Sequence, residues 1–252
     1  MTTTDIATLK HQAQQLKLHS LLAYWHELTD AQLNWLGIWL DREITERNKR
    51  SVERRLRSAR IGRFKSLADF DWTWPDKIDQ HIIHELMQLE FVQEASNVVL
   101  LGNNGVGKST IAQNLAWQAA VKGHSVLFTN AAEMLNGLAA EDGVSALKRK
   151  LKRYATPQLL VIDEVGYLSY GDRHADLLFQ IISQRYEQKS TVVTTNRPFS
   201  EWSDVFPTAA CVVALVDKLI HHSDIIAIEG GSYRMKEATE KAAQKRQRKK
   251  SK

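Results

Sequence analysis

The run Gly102-Asn103-Asn104-Gly105-Val106-Gly107-Lys108-Ser109 fits the pattern G-x-x-x-x-G-K-[ST], and each fixed position has a chemical reason. The glycines let backbone N–H groups turn inward around a chain of phosphates without side-chain collision, and a helix starting at the lysine adds the positive end of its dipole. Lys108 supplies a point charge to the outer phosphates, and the Ser109 hydroxyl is a hard oxygen ligand for Mg²⁺. Gly102, Asn103, Asn104, Gly105, Val106, Gly107, Lys108, Ser109 and Thr110 are therefore predicted to cradle a nucleoside triphosphate. The plainer reading, a glycine-rich turn capping a helix, does not account for the lysine and hydroxyl at their fixed places.

A second cluster is Leu159-Leu160-Val161-Ile162-Asp163-Glu164, an apolar run ending in two carboxylates. On a strand beside the phosphate loop, Asp163 would join Ser109 at the Mg²⁺ shell, and Glu164 would orient or deprotonate an attacking water. Taken alone, such a pair is more often a solvated turn. Thr194-Thr195-Asn196 ends the next apolar run, and Asn196 is predicted to reach the γ-phosphate if that strand neighbours the acidic one. Arg185 and Arg234 are further candidates for phosphate contact, each equally readable as a surface ion-pair residue.

Those residues need a scaffold that brings strand ends together. Short apolar runs at Asn97–Leu101, Ser125–Phe128, Leu159–Ile162, Thr191–Thr194 and Ile225–Ile228 alternate with segments of helical spacing. That alternation predicts an α/β fold with a mainly parallel sheet between helices, whose ligands bind at the carboxyl ends of the strands. Upstream, residues 5 to about 60 hold no proline and show two helical stripes, Leu18/Leu21/Leu22/Trp25 and Leu33/Leu36/Leu40/Ile44, with N-cap chemistry at Thr29-Asp30 between them. Asp69–Asp76, with alternating aromatics, acids and Pro75, reads as a linker. The expected organisation is a small all-α domain over 1–68, the α/β domain over 69–236 and a basic tail over 237–252 that is disordered or a frayed helix when alone.

Charge is unevenly placed. Arg42–Lys65 carries ten Lys/Arg against three acids, and Arg234–Lys252 nine against two, leaving the remainder with 15 basic and 24 acidic residues, net −9. A polyanion-binding role is thus confined to these segments, and Arg47, Lys49, Arg50, Arg54, Arg55, Arg57, Arg60 and Arg63 are the predicted phosphate-backbone contacts. The alternative is a solvated helix face balanced by Glu43, Glu46 and Glu53; for the tail, DNA contact and simple solubilisation stand level. Cys211 is the only cysteine, no disulfide framework is possible, and neither a leader pattern nor a membrane span is present, so a cytoplasmic location is expected. The seven tryptophans, most of them set among apolar neighbours, are read as packing or interface residues and not as base-stacking platforms. His221-His222 lacks further ligands in the sequence and is read as complementing a helix C-terminus, not as a metal site.

The arrangement resembles the AAA+ ATPases and, more narrowly, their IstB/DnaC group. The resemblance is carried by Arg57-Ser58-Ala59-Arg60, Phe64–Trp72, Asp163-Glu164-Val165-Gly166-Tyr167-Leu168, Gln184-Arg185-Tyr186-Glu187, Thr195–Trp202, Asp217–Ser223 and Ser232-Tyr233-Arg234. It implies ATP and Mg²⁺ as cofactors, ATP hydrolysis, and a homo-oligomer on double-stranded DNA that serves the transposase of an insertion sequence. A DnaC-like replicative helicase loader is the alternative. Two departures stand out. Asp217-Lys218 replaces the usual Asp-Arg, which removes a planar fork of donors at that position. Asn-Asn-Gly-Val-Gly-Lys-Ser replaces the usual Pro-Pro-Gly-Thr-Gly-Lys-Thr and keeps every function the loop needs.

Overall fold

The computed structural model describes residues 5–167, 170–206 and 210–250, and their side chains except those of Asp172 and residues 243–250. Leu168 and the last two residues of the basic tail lie outside the described residues. Two compact units are formed, Met1–Arg54 and Arg55–Lys252.

The first unit holds α1 (Ile6–Gln15), α2 (His19–Ala23) and most of α3 (Asp30–Ala59). The start of α3 is a reciprocal cap: Thr29 N–H donates to Gln32 Oε1 at 2.8 Å, and Gln32 N–H to Thr29 Oγ1 at 3.4 Å. Both sequence stripes face one small core, in which Leu9, Ala13, Leu16, Trp25, Leu33 and Leu40 are buried and Leu18, Leu21, Leu22, Leu36 and Ile44 pack around them. Trp25 is a packing residue as expected, whereas Trp35 and Trp39 are 63% and 49% exposed.

The second unit contains α4 (Gln80–Leu86), α5 (Glu90–Gln93), β1 (Asn97–Gly102), α6 (Lys108–Val121), β2 (Val126–Asn130), α7 (Ala131–Ala139), α8 (Val144–Ala155), β3 (Leu159–Val165), α9 (Asp172–Arg185), β4 (Ser190–Thr195), α10 (Trp202–Val205), α11 (Val212–Ile220), β5 (Ser223–Ile228) and α12 (Tyr233–Lys250). Every strand pairing is parallel, in the order β2-β3-β4-β1-β5. Side chains alternate between the two faces. Val98, Leu100, Leu159, Val161 and Val192 pack with Ile111, Leu115 and Ala119 of α6, while Val99, Leu160, Ile162 and Val193 pack with Met134 and Leu138 of α7, Ile181 of α9 and Leu215 of α11. Residues 55–68 belong to this unit: Ala59 and Ile61 are buried in the α6 side of the core, with Phe64 and Leu67 against it. The edge strand β5 departs from the fully buried run expected, since Ile226 and Ile228 are buried but Ile225 is 50% exposed.

Two features position the site. Strand β4 lies between β1 and β3, so the ends of those two strands flank Thr194 and Thr195. The β3–β4 register also breaks between Ile162 and Val165, and Glu164 there has φ +63. A bulge of this kind re-aims side chains at a strand end. The basic tail is helical through Lys250, its first turns tied down by Lys65–Glu237 (2.6 Å) and Lys236–Asp71 (3.1 Å) ion pairs.

Candidate functional site

The loop from β1 into α6 is shaped by its glycines. Gly107 has φ +105, and a Cβ there would stand 2.5 Å from the Phe70 ring; at Gly105, φ +83, it would stand 2.3 Å from Ser232 Oγ. Any larger residue would therefore be strained and would collide, so two chain segments close over the loop only because these positions lack side chains. Asn103 and Asn104 are exposed, and Val106 is buried. Lys108 is 4% exposed and donates to the carbonyls of Gly102 (2.7 Å) and Asn103 (2.8 Å). Burial pushes its pKa down to about 8, opposed by the charges of Asp163 and Glu164 and assisted by Arg234.

Across the strand ends, one carboxylate oxygen gathers two hydroxyls. Ser109 Oγ donates to Asp163 Oδ1 at 2.9 Å, and Thr194 Oγ1 donates to the same oxygen at 2.5 Å. Thr194 Oγ1 in turn accepts the Glu164 N–H at 2.9 Å. Glu164 Oε2 accepts from Asn130 Nδ2 at 2.7 Å, while Asn130 Oδ1 caps α7 by accepting from Ala132 N–H at 2.9 Å. Asn196 lies one residue beyond β4, and its buried Oδ1 has no hydrogen-bond partner among the described residues.

A cavity of about 210 Å³ opens beside this cluster. Its floor is Gly105–Thr110; its walls are Lys65, Asp69, Phe70, Asp71, Trp74 and Pro75 on one side and Tyr167, Tyr233, Arg234 and Glu237 on another. The segment read as a linker is thus a wall of the cavity. Trp74 Nε1 donates to the Gly231 carbonyl (2.9 Å), Tyr233 N–H donates to the Gly105 carbonyl (3.0 Å), and Lys236 Nζ sits 4.3 Å from the Trp74 ring. Hydrogen bonds from Thr73 and Lys236 hold the Asp71 carboxyl below the usual range.

These residues fit a magnesium–nucleotide. The loop leaves room for phosphates where side chains are absent, Lys108 supplies charge, Ser109 and Asp163 present hard oxygens to one point, and Asn196, one residue beyond β4, keeps a buried acceptor without a partner among the described residues. Arg234 lines the cavity.

Arg185 is not, and the sequence reading is corrected here. Its guanidinium is 1% exposed at the amino-terminal ends of β3 and β4, donating to Thr191 Oγ1 and to the carbonyls of Tyr154, Ala155, Pro157, Gln158 and Ser190. Burial pushes its pKa down to about 9, leaving it charged at neutral pH. It clamps the end of α8 to two strand starts, on the opposite edge of the sheet from the phosphate loop.

Asn130 and Thr194 were missed. Asparagine before a helix reads first as a cap, and a threonine inside a strand reads as β-propensity; only the order β2-β3-β4 shows that both lie against the acidic pair. His221 and His222 have a neighbour the sequence does not show: Glu187 Oε1 lies 3.7 and 3.8 Å from their ring nitrogens.

Of the predicted DNA contacts, Arg47, Lys49, Arg50, Arg54 and Arg57 are exposed on α3, and Arg60 and Arg63 are exposed just after it. Arg47 is paired with Glu43 at 2.6 Å. Arg55 is half-buried and donates to the Ala120 carbonyl at 2.8 Å. Among the described residues no helix is long and apolar enough to cross a membrane.

Comparison with known proteins agrees with this geometry. Residues 11–241 match the family described as IstB-like ATP binding protein. The chain is 34% identical over 235 residues to the insertion sequence IS21 ATP-binding protein of Pseudomonas aeruginosa, covering 92% of this chain and 88% of that one. It is 33% identical over 198 residues to the insertion sequence IS5376 ATP-binding protein of Geobacillus stearothermophilus, covering 79% of each. Among solved structures, AMPPCP-bound DnaA from Aquifex aeolicus superposes with a TM-score of 0.57 at 18% identity, over 73% of this chain and 56% of that one. The DnaC helicase loader superposes at 0.52 with 20% identity, over 65% and 96%. These two share the AAA+ fold with the sheet unit. With a phosphate loop, an acidic strand end and a family match spanning nearly its whole length, the chain belongs to the IstB-like ATP-binding proteins.

Proposed function

We propose that this protein is a Mg²⁺-dependent ATPase that assembles as a homo-oligomer on double-stranded DNA and stimulates or directs the transposase of an insertion sequence, with hydrolysis controlling assembly. The observation that carries the reading is the convergence of Ser109 and Thr194 on Asp163 beside the loop that holds Lys108. Lys108 and the loop amides bind the phosphates; Ser109 and Asp163 would hold Mg²⁺, which when bound would supply charge neutralisation for the transferred phosphoryl group. Glu164 accepts a proton from, or orients, the water that attacks the γ-phosphorus, releasing ADP. Asn196 and Arg234 are assigned to the γ-phosphate end of the site.

The exposed arginines and lysine of α3, with Arg60 and Arg63, are assigned to DNA phosphates, residues 1–68 to DNA contact and assembly, 69–236 to nucleotide chemistry, and 237–252 to a basic extension. The names of the relatives, ATP-binding proteins of insertion sequences, support the transposase of the same element as the partner; a cytoplasmic location belongs to the same reading.

The test is ATP turnover with and without duplex DNA, comparing the parent with Glu164→Gln. Expected are DNA-stimulated turnover in the parent, and in the variant retained ATP binding, turnover lowered at least ~100-fold and longer-lived DNA assemblies. Equal turnover in the two proteins would reject the role of Glu164. Co-purification with a hexameric helicase, and no effect on a transposase, would favour the loader alternative.

A further inference from the structure

At the edge of the sheet opposite the phosphate loop, two turns meet. The turn after α9 carries Tyr186 and Glu187; the turn between α11 and β5 carries His221 and His222. Glu187 Oε1 lies 3.7 Å from His221 Nδ1 and 3.8 Å from His222 Nε2, and the two imidazole centroids are 3.9 Å apart. One ligand atom from each of the three residues falls within 4.8 Å of the others.

We propose that Glu187, His221 and His222 form a binding site for one divalent transition-metal ion of the zinc class, which pins the α9–β4 turn to the α11–β5 turn. Four ligands about 2.0–2.1 Å from a tetrahedral zinc stand roughly 3.4 Å apart; the two carboxylate–imidazole spacings, 3.7 and 3.8 Å, are within a few tenths of an ångström of that, and rotation of the exposed imidazoles brings the third pair, now within 4.8 Å, to the same spacing. Two imidazoles and one carboxylate select zinc, copper, nickel or cobalt over magnesium and calcium, which prefer oxygen alone. The site is therefore chemically distinct from the Ser109–Asp163 pair.

The turns are anchored before any ion arrives. His222 offers its carbonyl to the Asn97 N–H at the start of β1 (2.9 Å), and the His221 N–H donates to the Asp217 carbonyl (3.0 Å). Gln188 and Lys189 both donate their N–H groups to the Arg185 carbonyl, the residue that clamps the strand starts. Neighbouring side chains in a sequence ordinarily diverge; here His222, with φ +55, returns its ring to that of His221, and Glu187 also has φ +55.

Tyr186 is the outer partner. Its hydroxyl is 2.7 Å from His221 Nδ1. On metal binding at Nδ1 the phenol gives up the ring nitrogen and is left beside the metal shell as an outer hydrogen-bonding group. Lys218 Nζ lies 4.5 Å from the centroid of the Tyr186 ring. The three ligand residues are exposed, so the fourth position is open to water.

The experiment uses the untagged full chain after chelator treatment. Zn²⁺ alone is titrated by calorimetry, Co²⁺ by visible absorption, and thermal unfolding is followed with and without Zn²⁺. Expected are one equivalent of zinc per chain, a tetrahedral cobalt spectrum and a raised unfolding temperature. Glu187→Gln, and His222→Asn, which tolerates the left-handed backbone, should each weaken binding tenfold or more and abolish the thermal shift. Both should leave Mg²⁺-nucleotide binding unchanged. His81→Gln, beside Glu85 at another exposed His–Glu pair, should change nothing. Failure of the parent to bind submillimolar Zn²⁺, or undiminished binding in both site variants, overturns the proposal. The cobalt spectrum decides the matter if a variant is itself less stable.

Discussion

Asn130 holds the carboxylate of Glu164 through a 2.7 Å hydrogen bond while its own side-chain oxygen caps the helix that follows it. One residue thus joins the start of α7 to the group assigned to activate water, and the two roles separate by mutation. Asn130→Ser keeps a cap acceptor and loses the reach to Glu164, whereas Asn130→Ala loses both. Both variants should turn over ATP several-fold faster without DNA, since the carboxylate is freed to meet water. Only the alanine variant should also lose about 1 kcal/mol of stability. Steady-state rates and denaturant melts check this, and slower turnover in the serine variant would mean that the contact supports catalysis instead of restraining it.

Lys108 has a folded-state pKa depressed by burial to about 8 from 10.5. Below about pH 8 it is protonated in both folded and unfolded chains and adds no pH dependence. Between 8 and 10.5 the unfolded chain binds more protons, so the nucleotide-free protein should gain stability from this residue as pH rises through that window. Nucleotide affinity should move the other way, falling by up to tenfold per unit above about pH 8 because phosphate needs the charged form. Denaturant melts without nucleotide and fluorescent-nucleotide titrations, each across pH and against Lys108→Met, measure the two trends; the variant should bind weakly and lack both slopes.

Thr194 both donates to Asp163 and accepts from the Glu164 backbone. Thr194→Val keeps the shape, removes the hydroxyl and leaves the Glu164 N–H without its partner. Turnover is expected to fall ~10- to 100-fold, with nucleotide affinity changed far less, because the hydroxyl orients the acidic pair and does not line the phosphate loop. A loss confined to nucleotide affinity would contradict that division.

Arg185 satisfies five carbonyls and one hydroxyl in a site closed to water. Arg185→Ala should destabilise the chain by about 3 kcal/mol or more, and Arg185→Lys should also be costly because an ammonium has three donors. Folded protein recovered at low temperature should bind nucleotide normally. Loss of nucleotide binding without loss of stability would restore Arg185 to the phosphate site.

The phosphate loop, the acidic strand end, the five strands and the two basic segments were legible because each rests on local chemistry. A glycine at a forced turn, a lysine and hydroxyl at fixed spacing, and a strand's apolar run all carry their reason within a few residues. The roles of Asn130, Thr194, Phe70 and Ser232 were not legible. They depend on which strand lies beside which, and on segments far apart in the chain closing over Gly105 and Gly107. Arg185 shows the same limit in reverse: its residue type suits a phosphate, but α9 runs back antiparallel to the strands it joins, so its last residue lies at their amino ends, where unpaired carbonyls claim it. Sequence determined which groups were available for phosphate and metal chemistry; tertiary packing decided which of them meet, because hydrogen bonds and ligand shells act over about 3 Å and chain separation says nothing at that scale.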